Sequence, residues 1–280
     1  MNLTEIRHQA WAIRSKTSGI YSLFAIPTLL NILFYFLSTP QDFKETLPSL
    51  NLEQAFFFYI NRPIFPYVIS FTVSILFLSA TFSMIEVVRK KKESVQFRDI
   101  GRIFPSELFS PIFKTLFLKN LLLLFWGIPQ FLGNFLSIYT SYKVLTLYEK
   151  HSGKVISFSS PEGVEFFHYY SMMLIGIALA FAGLVLLFYK RYSYSFTEYI
   201  LYDKLASERY KNAWSVLRES RKMMIGYKWK RFLLDLSFIG WYILIFITGG
   251  VIGLFIFPYI FTAQILFYEK VKEKQLSFNR

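Results

Sequence analysis

Residues 232–267 form a run of 36 residues that contains one charged side chain, Asp235. A helix rises about 1.5 Å per residue and the hydrocarbon core of a bilayer is about 30 Å thick, so about 20 residues make one crossing. The run is too long for one crossing helix and fits two short ones. "TGGVIG" lies at its centre, where Gly249, Gly250 and Gly253 can supply the turn because glycine tolerates positive φ. Four further apolar runs, 19–37, 66–88, 115–136 and 171–189, are each long enough to span. The expectation is an all-α, polytopic integral membrane helical bundle of about six transmembrane helices, with amphipathic helices on the cytoplasmic side.

Composition agrees, because 54% hydrophobic and 20% aromatic residues exceed what a water-soluble domain of this size carries. The net charge of +13 does not point to nucleic acid, since the basic residues cluster beside apolar runs instead of along a polar domain. With six spans and a cytoplasmic N-terminus, 25 of the 31 Lys and Arg fall inside: three before the first run, seven after the second, eleven after the fourth and four at the C-terminus. Lys44, Arg62, Lys143, Lys150 and Lys154 fall outside and Lys119 within a span. An odd number of spans would move the four C-terminal cations to the wrong face. The expected location is the plasma membrane, with both termini cytoplasmic. The first run ends in "FYFLSTPQ", which lacks a small-x-small cleavage site, and reads as an uncleaved anchor.

There is no cysteine, and no P-loop, GxGxxG, HExxH or GxSxG pattern, so thiol chemistry and the common soluble activities have no support. His8, His151 and His168 are the histidines, and the latter two, 17 residues apart, read as solvated rather than metal-ligating. No cofactor is expected.

Three stretches that precede spans look amphipathic: "LTEIRHQAWAIRSK", "SVQFRDIGRIFPSELF" and "SERYKNAWSVLRESRKMMIG". In the third, Tyr210, Ala213, Trp214, Leu217, Met224 and Tyr227 recur at helical spacing, with Asp203 or Ser207 as start signals and Gly226 as a stop. Lys211, Arg218 and Lys222 fall away from that stripe. Such a helix is expected to lie in the headgroup layer, apolar face down and cations toward anionic lipid. The chain reads as a single membrane domain, 1–280, with a pattern of amphipathic helix plus hairpin over 1–90, 91–200 and 201–280.

Asp235 follows the basic boundary formed by Lys228 and Arg231 by a few residues, and Arg231 lies one helical turn before it. The expectation is an i,i+4 pair that fixes the depth and rotation of the fifth helix, against a role in a polar path or partner site. Trp241 reads as buried about nine residues into that helix, and Pro258, beside Tyr259, as a kink in the sixth. Asn31, Lys119, Gln130, Asn134 and Gln264 read as interhelical hydrogen-bonding groups, with Lys119 able to snorkel to the surface.

The segments "YKRYSYSFTEYILYDK" and "AWSVLRESRKMMIGYKWKRFLLDLSFIGWYILIFITGGVIGLFIFPYIFTAQILFYEKV" resemble the DUF975 family of bacterial integral membrane proteins, found mostly in Gram-positive bacteria. The resemblance covers residues 189–271 and implies a helical membrane protein, with no activity attached. The function expected from the residues is non-enzymatic: binding of anionic lipid, or of a membrane protein partner, through a basic cytoplasmic face. The alternative is a small transporter or channel with a polar path through the bundle.

Overall fold

The computed structural model describes residues 2–38, 64–150 and 159–278, and they build an all-α protein. The order is α1 (Leu3–Lys16), α2 (Ile20–Ser38), α3 (Ile64–Val88), a 3₁₀ helix (Phe97–Ile103), α4 (Ser106–Lys150), α5 (Pro161–Ser193), α6 (Thr197–Ala206), α7 (Ala213–Met223), α8 (Lys228–Leu236), α9 (Ile239–Ile247) and α10 (Gly253–Phe278). Lys44, Arg62, Lys154 and His151 lie outside the described residues. The helices long and apolar enough to cross a membrane are, among the described residues, Val68–Val88, Glu107–Lys150, Pro161–Ala206 and Gly253–Ser277, with a shorter apolar helix at Ile20–Phe34.

The chain divides into two compact units, Met1–Leu118 with Ser193–Arg280, and Lys119–Tyr192. In the first, α1 starts where the Asn2 side chain accepts from the Thr4 N–H at 3.0 Å, and it carries Glu5 in its first turn and Arg14 and Lys16 in its last, matching the helix dipole. It ends at Thr17, whose N–H donates to the Ile13 carbonyl at 3.0 Å, and the turn into α2 passes through Gly19, whose φ of 79° and approach to the Val95 carbonyl leave no room for a side chain. The Val95 N–H returns to the Ser18 carbonyl at 3.0 Å, tying the loop after α3 to the α1–α2 turn. Ile6, Ala10, Phe24, Met84, Ile85, Phe196, Phe238 and Phe267 are fully buried at the centre of this unit. Phe77 stacks on Phe261 at 5.3 Å, and Phe24 joins them from α2.

The second unit is an antiparallel hairpin of α4 and α5 held by small residues. A Cβ on Gly133 would lie 2.2 Å from the Ala180 nitrogen, and one on Gly183 2.2 Å from the Gln130 nitrogen. Contact this close is how apolar helices associate where lipid offers no hydrophobic driving force. The opposite faces, with Phe125, Leu132, Ile175 and Phe181, are exposed. Both helices outrun the spans expected from hydropathy: α4 continues 14 residues past 136 and α5 begins ten before 171. Residues 137–150 contain neither Gly nor Pro, so nothing interrupts propagation of the helix beyond the apolar segment.

Elsewhere the chain departs from the amphipathic and span expectations. "SVQFRDIGRIFPSELF" is not one helix but a 3₁₀ turn followed by α4, because Pro105 cannot continue the backbone ladder. The third amphipathic helix begins at Ala213, capped by Asn212 at 2.8 Å to the Ser215 N–H, and not by Asp203 or Ser207. Gly226, at φ 78°, does end that region. The buried stripe of α7 is Val216, Leu217, Ser220, Met223 and Met224, whereas Trp214 is 52% exposed on another face. The apolar faces of α1 and α7 therefore pack into protein instead of lying open to lipid.

The fifth apolar segment is broken too. Ser237 and Phe238 separate α8 from α9, with the Ser237 hydroxyl donating back to the Leu234 carbonyl at 2.7 Å. Fully buried Phe238 pins the bend edge-on to Tyr259 at 5.1 Å. Gly249 and Gly250, at φ 58° and 93°, form the turn before α10, and Gly253 opens that helix.

Candidate functional site

Polar residues of the first unit gather around Arg89, one residue past the end of α3. Its guanidinium forks between two carboxylates: Nη1 meets Asp203 Oδ1 of α6 at 2.6 Å, while Nε and Nη2 donate to Glu269 Oε1 of α10 at 2.9 and 2.6 Å. Asp203 Oδ2 also accepts from the Tyr268 hydroxyl at 2.7 Å and from Lys272. Glu86 accepts from Tyr202 at 2.9 Å and from Arg102 of the 3₁₀ helix at 2.5 Å. These side chains are less than about one-quarter exposed except those of Arg102 and Lys272. Charge-assisted bonds in such surroundings are among the stronger ones available to a protein. They join α3, α6, α10 and the 3₁₀ helix at one place.

Electrostatics follow from those contacts. Burial works against the Arg89 charge, but Asp203 and Glu269 outweigh it and hold its pKa above the usual arginine range. Burial likewise pushes the Asp99 carboxyl up, and the bonds from Lys92 at 2.7 Å and the Gln96 N–H at 2.8 Å overcome this and leave it below the ordinary value. At the end of α10, Lys270 bonds Glu5 of α1 at 2.8 Å and lowers the Glu5 pKa. Among the described residues, no three His, Asp or Glu side chains converge as metal ligands would.

Arg231 and Asp235 sit apart from the fork and form the i,i+4 pair that the spacing predicts, with the arginine the more buried partner. Arg231 is 5% exposed, and its Nε and Nη1 have no hydrogen-bond partner among the described residues. Asp235, 24% exposed, lies 3.5 Å from Arg231 Nη2 and accepts from Gln264 Nε2 of α10 at 3.3 Å. The guanidinium also lies 5.9 Å from the centre of the Phe267 ring. The costly group is thus the arginine, with the aspartate as its half-solvated counter-ion. Lys228 is the first residue of α8 and is half-buried.

Trp241 is the third residue of α9, half-buried, and not nine residues into a continuous helix. Pro258 stands inside α10, which runs on through it, and its carbonyl accepts from Thr262 Oγ1 at 2.7 Å. Tyr259 is buried between Phe238 and Trp11, the latter edge-on at 5.4 Å. Lys211, Arg218 and Lys222 are exposed. Arg221 and Lys230 are exposed as well, as are three large apolar side chains in and between α7 and α8, Trp214, Ile225 and Trp229, while Lys211 lies just before α7. None of these five cations has an ion-pair partner among the described residues.

Sequence reasoning missed the Arg89 fork. Its signal was present: Glu86, Asp203 and Glu269, like Asp235, are acidic residues at junctions between apolar and basic runs, in "MIEVVRK", "YILYDK" and "FYEKVK". A carboxylate there needs a cation from another segment or from its own.

Among the described residues ten α-helices and no strand define an all-α protein, and four segments long and apolar enough for a bilayer give it the composition of a membrane protein. The family described as "Protein of unknown function (DUF975)" matches residues 1–275, and the chain belongs to it. The match covers nearly the whole chain, beyond the C-terminal third where the motifs are plainest. No curated protein and no solved structure matches the chain.

Proposed function

We propose that this protein is a non-enzymatic component of the cell membrane that holds anionic lipid headgroups on the basic face of α7 and α8, with both termini cytoplasmic. The observation that carries the reading is the state of its cations. Arg89, Lys92, Arg102, Lys204, Lys270 and Lys272 are each paired with a carboxylate. Lys211, Arg218, Arg221, Lys222 and Lys230 are exposed beside Trp214, Ile225 and Trp229. Aromatic and aliphatic side chains that enter the interface next to cations that meet phosphate make a headgroup surface, each cation adding about 1 kcal/mol near an anionic leaflet. The Lys and Arg bias of the sequence supports the cytoplasmic side.

The test is lipid enrichment in nanodiscs of mixed phosphatidylglycerol and phosphatidylcholine, read by mass spectrometry of the lipids retained by the full chain. Anionic lipid is expected to be enriched at low salt and to approach the bulk ratio as salt shortens the Debye length. The triple variant Lys211→Glu, Arg218→Glu, Lys222→Glu loses the enrichment. Equal retention of the two lipids at low salt overturns the reading.

A further inference from the structure

We propose that residues 239–258 form a re-entrant hairpin that inserts into the acyl chains of the cytoplasmic leaflet without crossing the membrane. The arms are short. α9 has nine residues, about 13.5 Å at about 1.5 Å per residue, which is close to half of a hydrocarbon core of about 30 Å. The returning arm is shorter still: from Tyr259 onward α10 runs beside α1, through the Trp11–Tyr259 contact and the Lys270–Glu5 pair. α1 carries Glu5, Arg7, Arg14 and Lys16 alongside that stretch of α10, whose Phe261 also packs on Phe24 of α2 and Phe77 of α3, so the arm that the hairpin itself returns by is Gly253–Pro258.

The tip is built for hydrocarbon. From Phe238 to Pro258 there is no charged residue and no Asn, Gln or Ser, so the turn itself, "TGGVI", offers water nothing to solvate beyond one threonine. Backbone bends at membrane depth are excluded unless their polar groups are satisfied. Here each N–H from Thr248 to Ile256 has an acceptor within the turn or its flanks. Eight donate to carbonyls, among them Gly250 to Ile245 at 2.7 Å and Gly253 to Gly250 at 2.8 Å, and Ile252 reaches Thr248 Oγ1 at 3.4 Å. The positive φ of Gly249 and Gly250 makes this possible.

Depth is set by a neighbour in the same unit. A Cβ on Gly250 would lie 2.7 Å from Ile32 Cγ1, so the tip meets α2 twelve residues after its first residue, about 18 Å along the helix and short of its end at Ser38. The outward stripe of Ile239, Ile243, Phe246 and Ile247 is exposed, Phe246 at 74% and Ile247 at 72%. Acyl chains are the partner such a face fits, since α9 follows α8, which carries the exposed Trp229 and Lys230 of the basic face, after a break of only Ser237 and Phe238. Two full crossings and a re-entrant hairpin leave the C-terminus on the same side, so the Lys and Arg bias fits both equally.

The chain has no cysteine, so a single introduced thiol is its sole label. Val251→Cys at the tip and Ile247→Cys on the outer stripe are each examined in intact cells and in inverted vesicles with a membrane-impermeant maleimide. Lys150→Cys serves as the outer control and Lys222→Cys as the cytoplasmic one. In the time that each control is fully labelled from its own side, neither hairpin thiol is expected to react from either side. A nitroxide on the same thiols is expected to collide with oxygen and not with a water-soluble nickel chelate. Labelling of Val251→Cys from outside shows a full crossing and overturns the proposal. Labelling from the cytoplasmic side shows a hairpin outside the bilayer, and shielding from both oxygen and nickel shows a protein cover; each overturns it equally. Ile247→Cys decides the matter if the tip variant does not fold. The outcome does not depend on lipid enrichment at the basic face, so the two readings fail separately.

Discussion

Replacing Asp235 by Asn removes the anion beside a guanidinium that is 5% exposed and has two unpartnered nitrogens. At 3.5 Å and an effective dielectric of about 20, the attraction is about 4 to 5 kcal/mol. Water reaches Asp235, which is 24% exposed, and the asparagine still accepts a hydrogen bond, so the net loss is about 2 to 3 kcal/mol. For a chain of this size that is a fall of roughly 4 to 10 °C in Tm. Arg231→Met keeps the length of the side chain, removes the unpartnered donors and leaves Asp235 with water and Gln264, so its expected change is within about 1 kcal/mol. Combining the two recovers most of the Asp235→Asn loss. The assay is thermal unfolding of purified protein in one detergent, read by loss of monodisperse elution. If Arg231→Met is the more damaging variant and Asp235→Asn is neutral, the buried group is the aspartate, and the assignment of cost to the arginine is wrong.

Arg89→Met strips Glu269 of the arginine and weakens the hold on Asp203; a loss of about 3 kcal/mol is expected, with partial recovery in Arg89→Met/Glu269→Gln, measured in the same unfolding assay. In the α4–α5 hairpin, Gly183→Leu drives a side chain into the Gln130 backbone and is expected to cost about 1 to 3 kcal/mol or more, whereas Gly127→Ala, whose Cβ meets only Leu187 at 4.0 Å, is expected to be neutral or slightly stabilising. Proteolysis rates of the two variants in detergent check this. Because its folded pKa is depressed, Asp99 contributes stability that is present above its unfolded value of about 3.9 and lost as pH falls through the folded value. Asp99→Asn is therefore expected to be less stable than the parent at neutral pH, by about 1 kcal/mol, with the gap closing below about pH 4 in an acid-unfolding series.

Hydropathy made the helical class and four of the membrane segments legible, because an apolar run of about 20 residues has few other fates. It misplaced ends. Nothing in "SIYTSYKVLTLYEK" marks where bilayer stops and water begins, and a helix does not need that mark to continue. The break at Ser237 and Phe238 was hidden because it depends on where buried Phe238 finds Tyr259, a contact 21 residues away in sequence. The i,i+4 spacing brought Arg231 and Asp235 together on paper, but which of them is buried is decided by α10, through Phe267 and Gln264. The Arg89 fork needed three segments at once: 86–89, 203 and 268–272. Helical spacing groups Trp214 with Leu217 and Met224 on one lipid-facing stripe, whereas the structure buries Leu217 and Met224 in protein and turns Trp214 outward, beside the cations.

Orientation is the claim on which the headgroup face and the one-leaflet hairpin both rest. Alkaline phosphatase and green fluorescent protein are fused in turn after residue 279, within 203–220 and within 151–165, and read in intact cells. Fluorescence without phosphatase activity is expected at the first two sites, and phosphatase activity without fluorescence at the third. Phosphatase activity at the C-terminus or within 203–220 would place the basic face outside and contradict that expectation.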